Sequence, residues 1–272
     1  MKILKKVVII ILGIYFLMII YLFFNQKSML YFPDKTDFLN CKNFSEEEKK
    51  SYENNLKMNY NKTNFYEIKW EKNNVIIFFH WNAGRACDRI KILENLKKTW
   101  NTIILVEYFW YADKENSPDI IQILQNVDII WNYIKDKEKW PMKKKRFDKV
   151  YVMWRSLGTW PASYFAWKFE TDKLLLISAY DELYKVAGSK YPIFPVKYLF
   201  TQNYNSKKYL NNYKNDFLLI HWKKDKVIPY KHWLDLFNSL ENKNKKMISL
   251  ENINHHNIFS EKIEEKIVEY FK

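Results

Sequence analysis

Short apolar runs alternate with amphipathic segments from about residue 63 to the last residue, and this alternation limits the possible folds more than any other feature. Strands that are apolar throughout and alternate with helices are typical of a parallel sheet covered by helices on both faces. The sequence therefore predicts an α/β fold. The predicted strands are 65–69, 75–80, 102–108, 149–153, 174–178, 217–221 and 246–250. The predicted helices are 86–98, 118–135, 157–168, 231–240 and 258–271.

The N-terminal segment predicts a membrane anchor. Residues 7–24 carry no charge and are long enough to cross a bilayer as a helix. No small-residue cleavage site follows them, so an uncleaved signal anchor over residues 1–26 fits better than a cleaved signal peptide. Lys2, Lys5 and Lys6 would stay in the cytoplasm by the positive-inside rule. We therefore expect a single-pass membrane protein whose main domain is extracytoplasmic.

The remaining chain divides into a connector, residues 27–62, and an α/β domain, residues 63–272. Within the domain, residues 181–215 separate two predicted strands and are interrupted by Pro192 and Pro195, which predicts a small lid. The two cysteines, Cys41 and Cys87, form no recognisable disulfide framework or metal motif, and we expect both to be free thiols.

The charge balance raises the question of a nucleic-acid partner, because the net charge is +14. The basic residues are spread along the chain and nearly all are lysines. Arginines, which bind bases and phosphates through two parallel hydrogen bonds, are scarce. We therefore expect no nucleic-acid partner. No H-x-E, C-x-x-C or H-E-x-x-H arrangement indicates a metal, and no cofactor is expected.

Residues 150–165, VYVMWRSLGTWPASYF, predict an apolar strand, a tight turn at Ser156 and a helix. This is the layout of the nucleophile elbow, G-x-S-x-G. Gly158 supplies its second glycine, but Trp154 stands at the first, where a side chain would clash with neighbouring elements. Arg155, beside the serine, is expected to be solvated.

Motifs along nearly the whole chain resemble those of the α/β-hydrolases, and among them the membrane-anchored serine hydrolases with short lids. Five segments carry the resemblance. HWNAG at 80–84 matches the family pattern H-G-N-A-G, and YFWYA at 108–112 matches Y-x-G-Y-G. WRSLGTWPA at 154–162 matches G-x-S-L-G-T-G-P-A, HWKKD at 221–225 matches H-G-x-x-D, and NHHNI at 254–258 is the histidine segment. The resemblance implies the α/β-hydrolase fold, a mostly parallel sheet flanked by helices.

The resemblance also implies a Ser-His-Asp triad. Ser156 would be the nucleophile, His255 the general base, and Asp225 the acid that orients the histidine. The chain order Ser, Asp, His is the one expected for this fold. The backbone N–H groups of Asn82 and Leu157 would form the oxyanion hole.

Two of these assignments have rivals in the sequence. Asp181 is the nearest acid that competes with Asp225. His256 is adjacent to His255 and competes with it as the general base, but the family pattern H-N-D-I favours His255. His80 and His221 precede glycine positions at strand ends and are expected to be structural.

Tryptophan repeatedly stands where the family has glycine, at positions 81, 110, 154, 160 and 222. The chain has 4 glycines and 11 tryptophans, whereas glycine averages about 7% of residues. One cause would explain all five positions: UGA codons that mean glycine were translated as tryptophan. Converting all the tryptophans gives 15 glycines, about 5.5% of the 272 residues and near the average. Trp70 and Trp100, beside predicted strand ends, would also suit glycine.

The predicted function is a membrane-anchored serine hydrolase that cleaves carboxylic ester or thioester bonds. Its expected substrate is an acyl ester or thioester, with an acyl chain on a lipid or a protein as candidates. Two alternatives stay open. One is a peptidase of the same fold, as in the serine aminopeptidase-like branch, because fold does not fix the substrate. The other is a catalytically dead, hydrolase-like interaction module in which the tryptophans are real.

Overall fold

The computed structural model describes residues 1–35, 57–60, 63–89, 95–111, 117–135, 146–202, 204–251 and 261–272. Within these residues an eight-stranded sheet forms the centre of the molecule. Its strands are β2 (Lys57–Tyr60), β3 (Thr63–Ile68), β4 (Lys72–Phe79), β6 (Asn101–Val106), β7 (Lys149–Arg155), β8 (Lys173–Ile177), β9 (Asp216–Trp222) and β10 (Lys245–Leu250). A small second sheet pairs β1 (Phe32–Pro33) with β5 (Ala83–Gly84).

The strands of the main sheet follow the order β10-β9-β8-β7-β4-β6-β3-β2. All neighbours from β10 to β6 are parallel, and β3 and β2 continue the sheet as antiparallel strands at one edge. This confirms the predicted α/β fold and all seven predicted strands. Because the parallel strands point the same way, their carboxyl ends meet along one edge of the sheet.

Helices cover both faces of the sheet. They are α3 (Ile120–Lys135), α4 (Thr159–Phe169), α5 (Leu183–Lys190), α6 (Val196–Leu199), α7 (Ser206–Leu210), α8 (Tyr230–Ser239) and α9 (Glu261–Phe271). Along β4, Val75, Ile77 and Phe79 face one core, while Ile76 and Phe78 face the other. Both faces of this strand are therefore buried, which explains its uninterrupted apolar sequence.

The predicted helix over 86–98 is confirmed only in part. Residues 95–96 are α-helical, Ala86–Arg89 and Lys97–Thr99 are short 3₁₀ helices, and residues 90–94 lie outside the described ranges. The carboxylates of Asp88 and Glu107 accept the backbone N–H groups of Arg85, at 2.7 Å, and of Ala86, at 2.9 Å. These side-chain acceptors satisfy N–H groups at the start of the 3₁₀ turn, as caps do at helix starts.

The N-terminal segment forms α1 (Lys2–Phe24) and α2 (Gln26–Leu30). The apolar window of α1 has a mean hydropathy of 3.0 and is not buried, so by length and composition this helix can cross a membrane.

Cys87 corrects the expectation of free thiols, because it is disulfide-bonded. Its partner lies outside the described residues, and the chain contains one other cysteine, Cys41. Sequence spacing could not reveal this bond, since two cysteines far apart carry no pattern.

Candidate active site

The predicted elbow forms where β7 ends. Ser156 opens a 3₁₀ turn, Ser156–Gly158, that leads directly into α4. Its φ of 54° lies in the left-handed region, which non-glycine residues rarely adopt. Two hydroxyls hold the turn: Thr159 donates to the Ser156 carbonyl at 2.7 Å, and Tyr180 donates to the Leu157 carbonyl at 3.0 Å. The strained backbone is therefore supported from both sides, as in functional sites generally.

A cavity of about 330 Å³ adjoins the turn and is lined mostly by apolar side chains. Ser156, Leu157 and Asn82 all line it. Asn82 follows β4, the strand next to β7 in the sheet, and its amide donates to the Leu30 carbonyl at 3.0 Å. The structure thus brings the predicted nucleophile and both predicted oxyanion-hole residues to one cavity.

Asp225 lies in the loop after β9. Its Oδ1 accepts the backbone N–H groups of Val227 at 2.7 Å and Ile228 at 2.9 Å, and its Oδ2 accepts the Ser178 hydroxyl at 3.2 Å. The carboxylate is buried at the carboxyl edge of the sheet, two strands away from Ser156. At about 4.8 Å per strand this places the two strand ends about 10 Å apart, so a side chain between them could contact both residues.

His255 and its rival His256 lie outside the described residues, with the whole segment 252–260. The described chain before them ends at Glu251, which pairs with Lys223 at 2.5 Å, in the same loop as Asp225. The histidine assignment stays a prediction.

Asp181, the competing acid, is engaged elsewhere. Lys185 contacts its carboxylate at 2.6 Å, and His232 lies 3.6 Å from the other oxygen. Burial alone would raise the pKa of Asp181, but its contacts with His232 and Lys185 outweigh burial and lower the pKa to about 2. This carboxylate therefore stabilises the 181–215 segment.

His80 and His221 have the local contacts expected of structural residues. The His80 ring lies 2.8 Å from the Trp81 carbonyl and 3.1 Å from Glu107, and His221 lies 3.1 Å from the Ile228 carbonyl. In the described ranges, no group of three or more His, Cys, Asp or Glu side chains could hold a metal ion.

Arg155 corrects another expectation, because it is buried rather than solvated. Its guanidinium lies 4.5 Å from the centre of the Trp81 ring, and that of Arg89 lies 3.4 Å from the same centre. Burial and the neighbouring Arg89 charge lower the pKa of Arg155 to about 10. The sequence could not show this, because the stacking joins residues from three separate strand ends and turns.

Sequence reasoning missed two residues that hold the site, Ser178 and Tyr180. Ser178 contacts Asp225, Tyr180 contacts Leu157, and both lie within three residues of the end of β8. Polar residues just after an apolar parallel strand were the available signal, because the carboxyl edge is where such sheets bind ligands.

Several tryptophans at positions that would suit glycine have unfavourable local features. Trp110 and Trp100 have φ values of 66° and 61°, in the left-handed region that favours glycine. Trp154 is fully buried, stacks on Phe79 at 4.2 Å and fits beside Gly158, which has no Cβ to meet the indole. Within the described part of the chain, the buried indole N–H of Trp154 has no acceptor.

Comparison with solved structures identifies the fold. An esterase from Pyrococcus furiosus matches with a TM-score of 0.65 and 14% identity, over 89% of this chain and 97% of its own. A monoacylglycerol lipase from Paleococcus ferrophilus matches with 0.56 and 16%, over 77% and 98%. A meta-cleavage product hydrolase from Pseudomonas fluorescens matches with 0.57 and 14%, over 79% and 96%. No protein-family model and no curated protein sequence matches the chain. The chain therefore has the α/β-hydrolase fold, and its structural neighbours are esterases, lipases and a related hydrolase of that fold.

Proposed function

We propose that the protein is a membrane-anchored serine hydrolase that cleaves carboxylic ester or thioester bonds of acyl substrates. One observation carries the proposal: Ser156 sits in a strained turn at the end of a central strand and lines an apolar cavity together with Asn82 and Leu157. A capping serine would need neither the left-handed φ nor the cavity. The structural neighbours include esterases and a lipase, which supports ester chemistry.

We infer the mechanism from the triad that the sequence predicts. His255 takes the proton of Ser156 as Oγ attacks the acyl carbonyl, and Asp225 orients the histidine and stabilises its cation. The N–H groups of Asn82 and Leu157 bind the oxyanion, an interaction whose loss costs roughly a hundredfold or more in rate. The protonated histidine then gives its proton to the leaving alcohol or thiol, and water releases the acyl group from Ser156.

Two features support the anchor and its orientation. The N-terminal end of α1 carries Lys2, Lys5 and Lys6, which the positive-inside rule keeps in the cytoplasm. Disulfides persist in oxidising compartments, so the disulfide at Cys87 supports an extracytoplasmic α/β domain.

We further propose that the tryptophans at 81, 110, 154, 160 and 222 are glycines in the native protein, encoded by UGA. The left-handed φ of Trp110 supports glycine at that position, and the buried indole N–H of Trp154, which has no acceptor among the described residues, supports glycine there. Trp100 was already a position where glycine would suit a helix stop, and it caps a 3₁₀ helix with a left-handed φ. Reading the gene's codons tests this: UGG codons at 81, 154 and 222 would refute it, and UGA codons with glycine in the native elbow peptide would support it.

A fluorophosphonate probe tests the proposed activity, because it reacts with activated serines. The glycine-containing chain is the one with glycine at positions 81, 110, 154, 160 and 222. We expect the probe to label this chain, and we expect labelling to be abolished in Ser156→Ala and strongly slowed in Asp225→Asn. Ser163→Ala is the matched control, since Ser163 is buried in α4 and donates only to the Thr159 carbonyl of its own helix. An unlabelled but folded glycine-containing chain would favour the interaction module, and peptide cleavage without ester cleavage would favour the peptidase.

A further inference from the structure

One face of the N-terminal helix packs against the 181–215 segment. Within α1 the residues Tyr15, Ile19 and Leu22 are partly buried, spaced by four and three residues, while the rest of the helix is exposed. This spacing defines a single helical face.

The contacts join α1 and α2 to the tip of the segment, residues 191–200. The Tyr15 hydroxyl donates to the Ile193 carbonyl at 2.7 Å, and its ring stacks on Phe194 with centres 5.4 Å apart. Gln26 donates to the Leu199 carbonyl at 2.7 Å and accepts the backbone N–H of Thr201 at 2.8 Å. The tip is therefore held at two levels of the helical segment.

These levels place the tip inside the membrane if α1 spans it. At about 1.5 Å per residue, Tyr15 lies about 13 Å along the axis from Phe24, the last residue of α1. The hydrocarbon core is about 30 Å thick, so Tyr15 and its partner Phe194 reach well into the leaflet on that side.

The composition of the tip suits that position. Its sequence, YPIFPVKYLF, carries one charge, and Ile193 and Tyr198 are 69% and 84% exposed. Apolar and aromatic side chains exposed on one surface mark a membrane-facing site. Lys190 and Lys197 are exposed and have no ion-pair partner among the residues described, so they can extend to the headgroup layer.

The cavity at Ser156 is continuous with this region, because Leu22 of α1 and Phe194 and Leu199 of the tip line it. We propose that the cavity opens sideways into the leaflet and that the acyl chain of a membrane lipid ester enters it directly from the bilayer. This rests on the proposed function: Ser156 attacks the lipid's ester carbonyl, the lipid alcohol leaves with a proton, and water then releases the fatty acid.

Paired substrates test the route in the full-length, glycine-containing chain reconstituted in phosphatidylcholine nanodiscs. One substrate is soluble p-nitrophenyl butyrate, and the other is a diacylglycerol with a fluorescent acyl chain, held in the bilayer. We expect Ile193→Asp and Tyr198→Asp to lower hydrolysis of the bilayer ester at least tenfold and to leave the soluble ester within twofold. Met247→Asp, on the edge strand β10 and also exposed, is the matched control and should change neither. Equal rates on the bilayer ester in all variants, or wild-type cleavage of only the soluble ester, would overturn the proposal.

A second measurement tests the membrane position of the tip independently of catalysis. A bimane attached at Ile193→Cys should be quenched by lipids brominated in their acyl chains, and one at Met247→Cys should not. An unquenched label at position 193 refutes the membrane position. Absence of both ester turnover and fluorophosphonate labelling refutes the proposed function instead, whatever the quenching shows.

Discussion

The substitution Trp154→Gly tests whether the core around position 154 is adapted to a tryptophan or to a glycine. A fully buried tryptophan removes roughly 150–250 Å² from water, about 4–6 kcal/mol at 25 cal/mol per Å². If the core evolved for it, its removal should destabilise the fold by about 3–5 kcal/mol, as large-to-small core substitutions do.

The recoding proposal predicts the opposite sign, because it holds that the native core is packed around a glycine at this position. The Trp154 indole lies where a Cβ on residue 158 would stand, so it packs directly against the turn that holds Ser156. Its N–H has no acceptor within the described ranges, which costs about 1–3 kcal/mol. Under the recoding proposal we expect Trp154→Gly to raise both the free energy of unfolding and the rate of fluorophosphonate labelling.

Urea unfolding of the two full-length chains in detergent measures the first quantity. Phe165→Gly serves as the matched control, because Phe165 is a fully buried aromatic residue of the same core, and it should destabilise by about 3–5 kcal/mol. If Trp154→Gly destabilises as much as the control and labelling does not rise, the recoding proposal at this position is refuted.

Three further predictions follow from single contacts. Cys87→Ala should destabilise the fold by about 2–5 kcal/mol, and reductant should destabilise the wild type to match; a wild type insensitive to reductant would contradict the disulfide. Tyr180→Phe should lower kcat for ester hydrolysis about two- to tenfold with little change in KM, because the Leu157 carbonyl loses its donor; an unchanged kcat would exclude a positioning role. Since the folded pKa of Asp181, about 2, lies below the usual 3.8, its stabilisation is present above pH 4 and is lost as pH falls towards 2. The urea midpoint should therefore fall more between pH 5 and pH 3 in the wild type than in Asp181→Asn, and equal falls would contradict this.

The strand pattern was predictable because the sheet is buried on both faces. Apolar runs such as 75–80 and 102–108 had no other explanation, and both became strands of the central sheet. The helix over 86–98 is only partly confirmed, and its start makes contacts with residues distant in sequence, such as Glu107. Periodicity carries no information about such long-range contacts.

The site was predictable in part. The elbow at Ser156 depends on local chain geometry, so a short motif was enough to locate it. Arg155 is buried, and Ser178 and Tyr180 make their supporting contacts, where the ends of separate strands meet. Short sequence motifs do not show which strand ends are neighbours. The bond at Cys87 was missed for the same reason.

The shared face between α1 and the 181–215 segment affects how the protein should be prepared. Cutting the chain after Phe24 to obtain a water-soluble product would delete Leu22 from the cavity wall and remove the Tyr15 contact with Ile193. In the shortened product the cavity would lack part of its wall. Its preference for acyl-chain length would therefore differ from that of the intact protein. Substrate profiling belongs with the hydrophobic leader left in place.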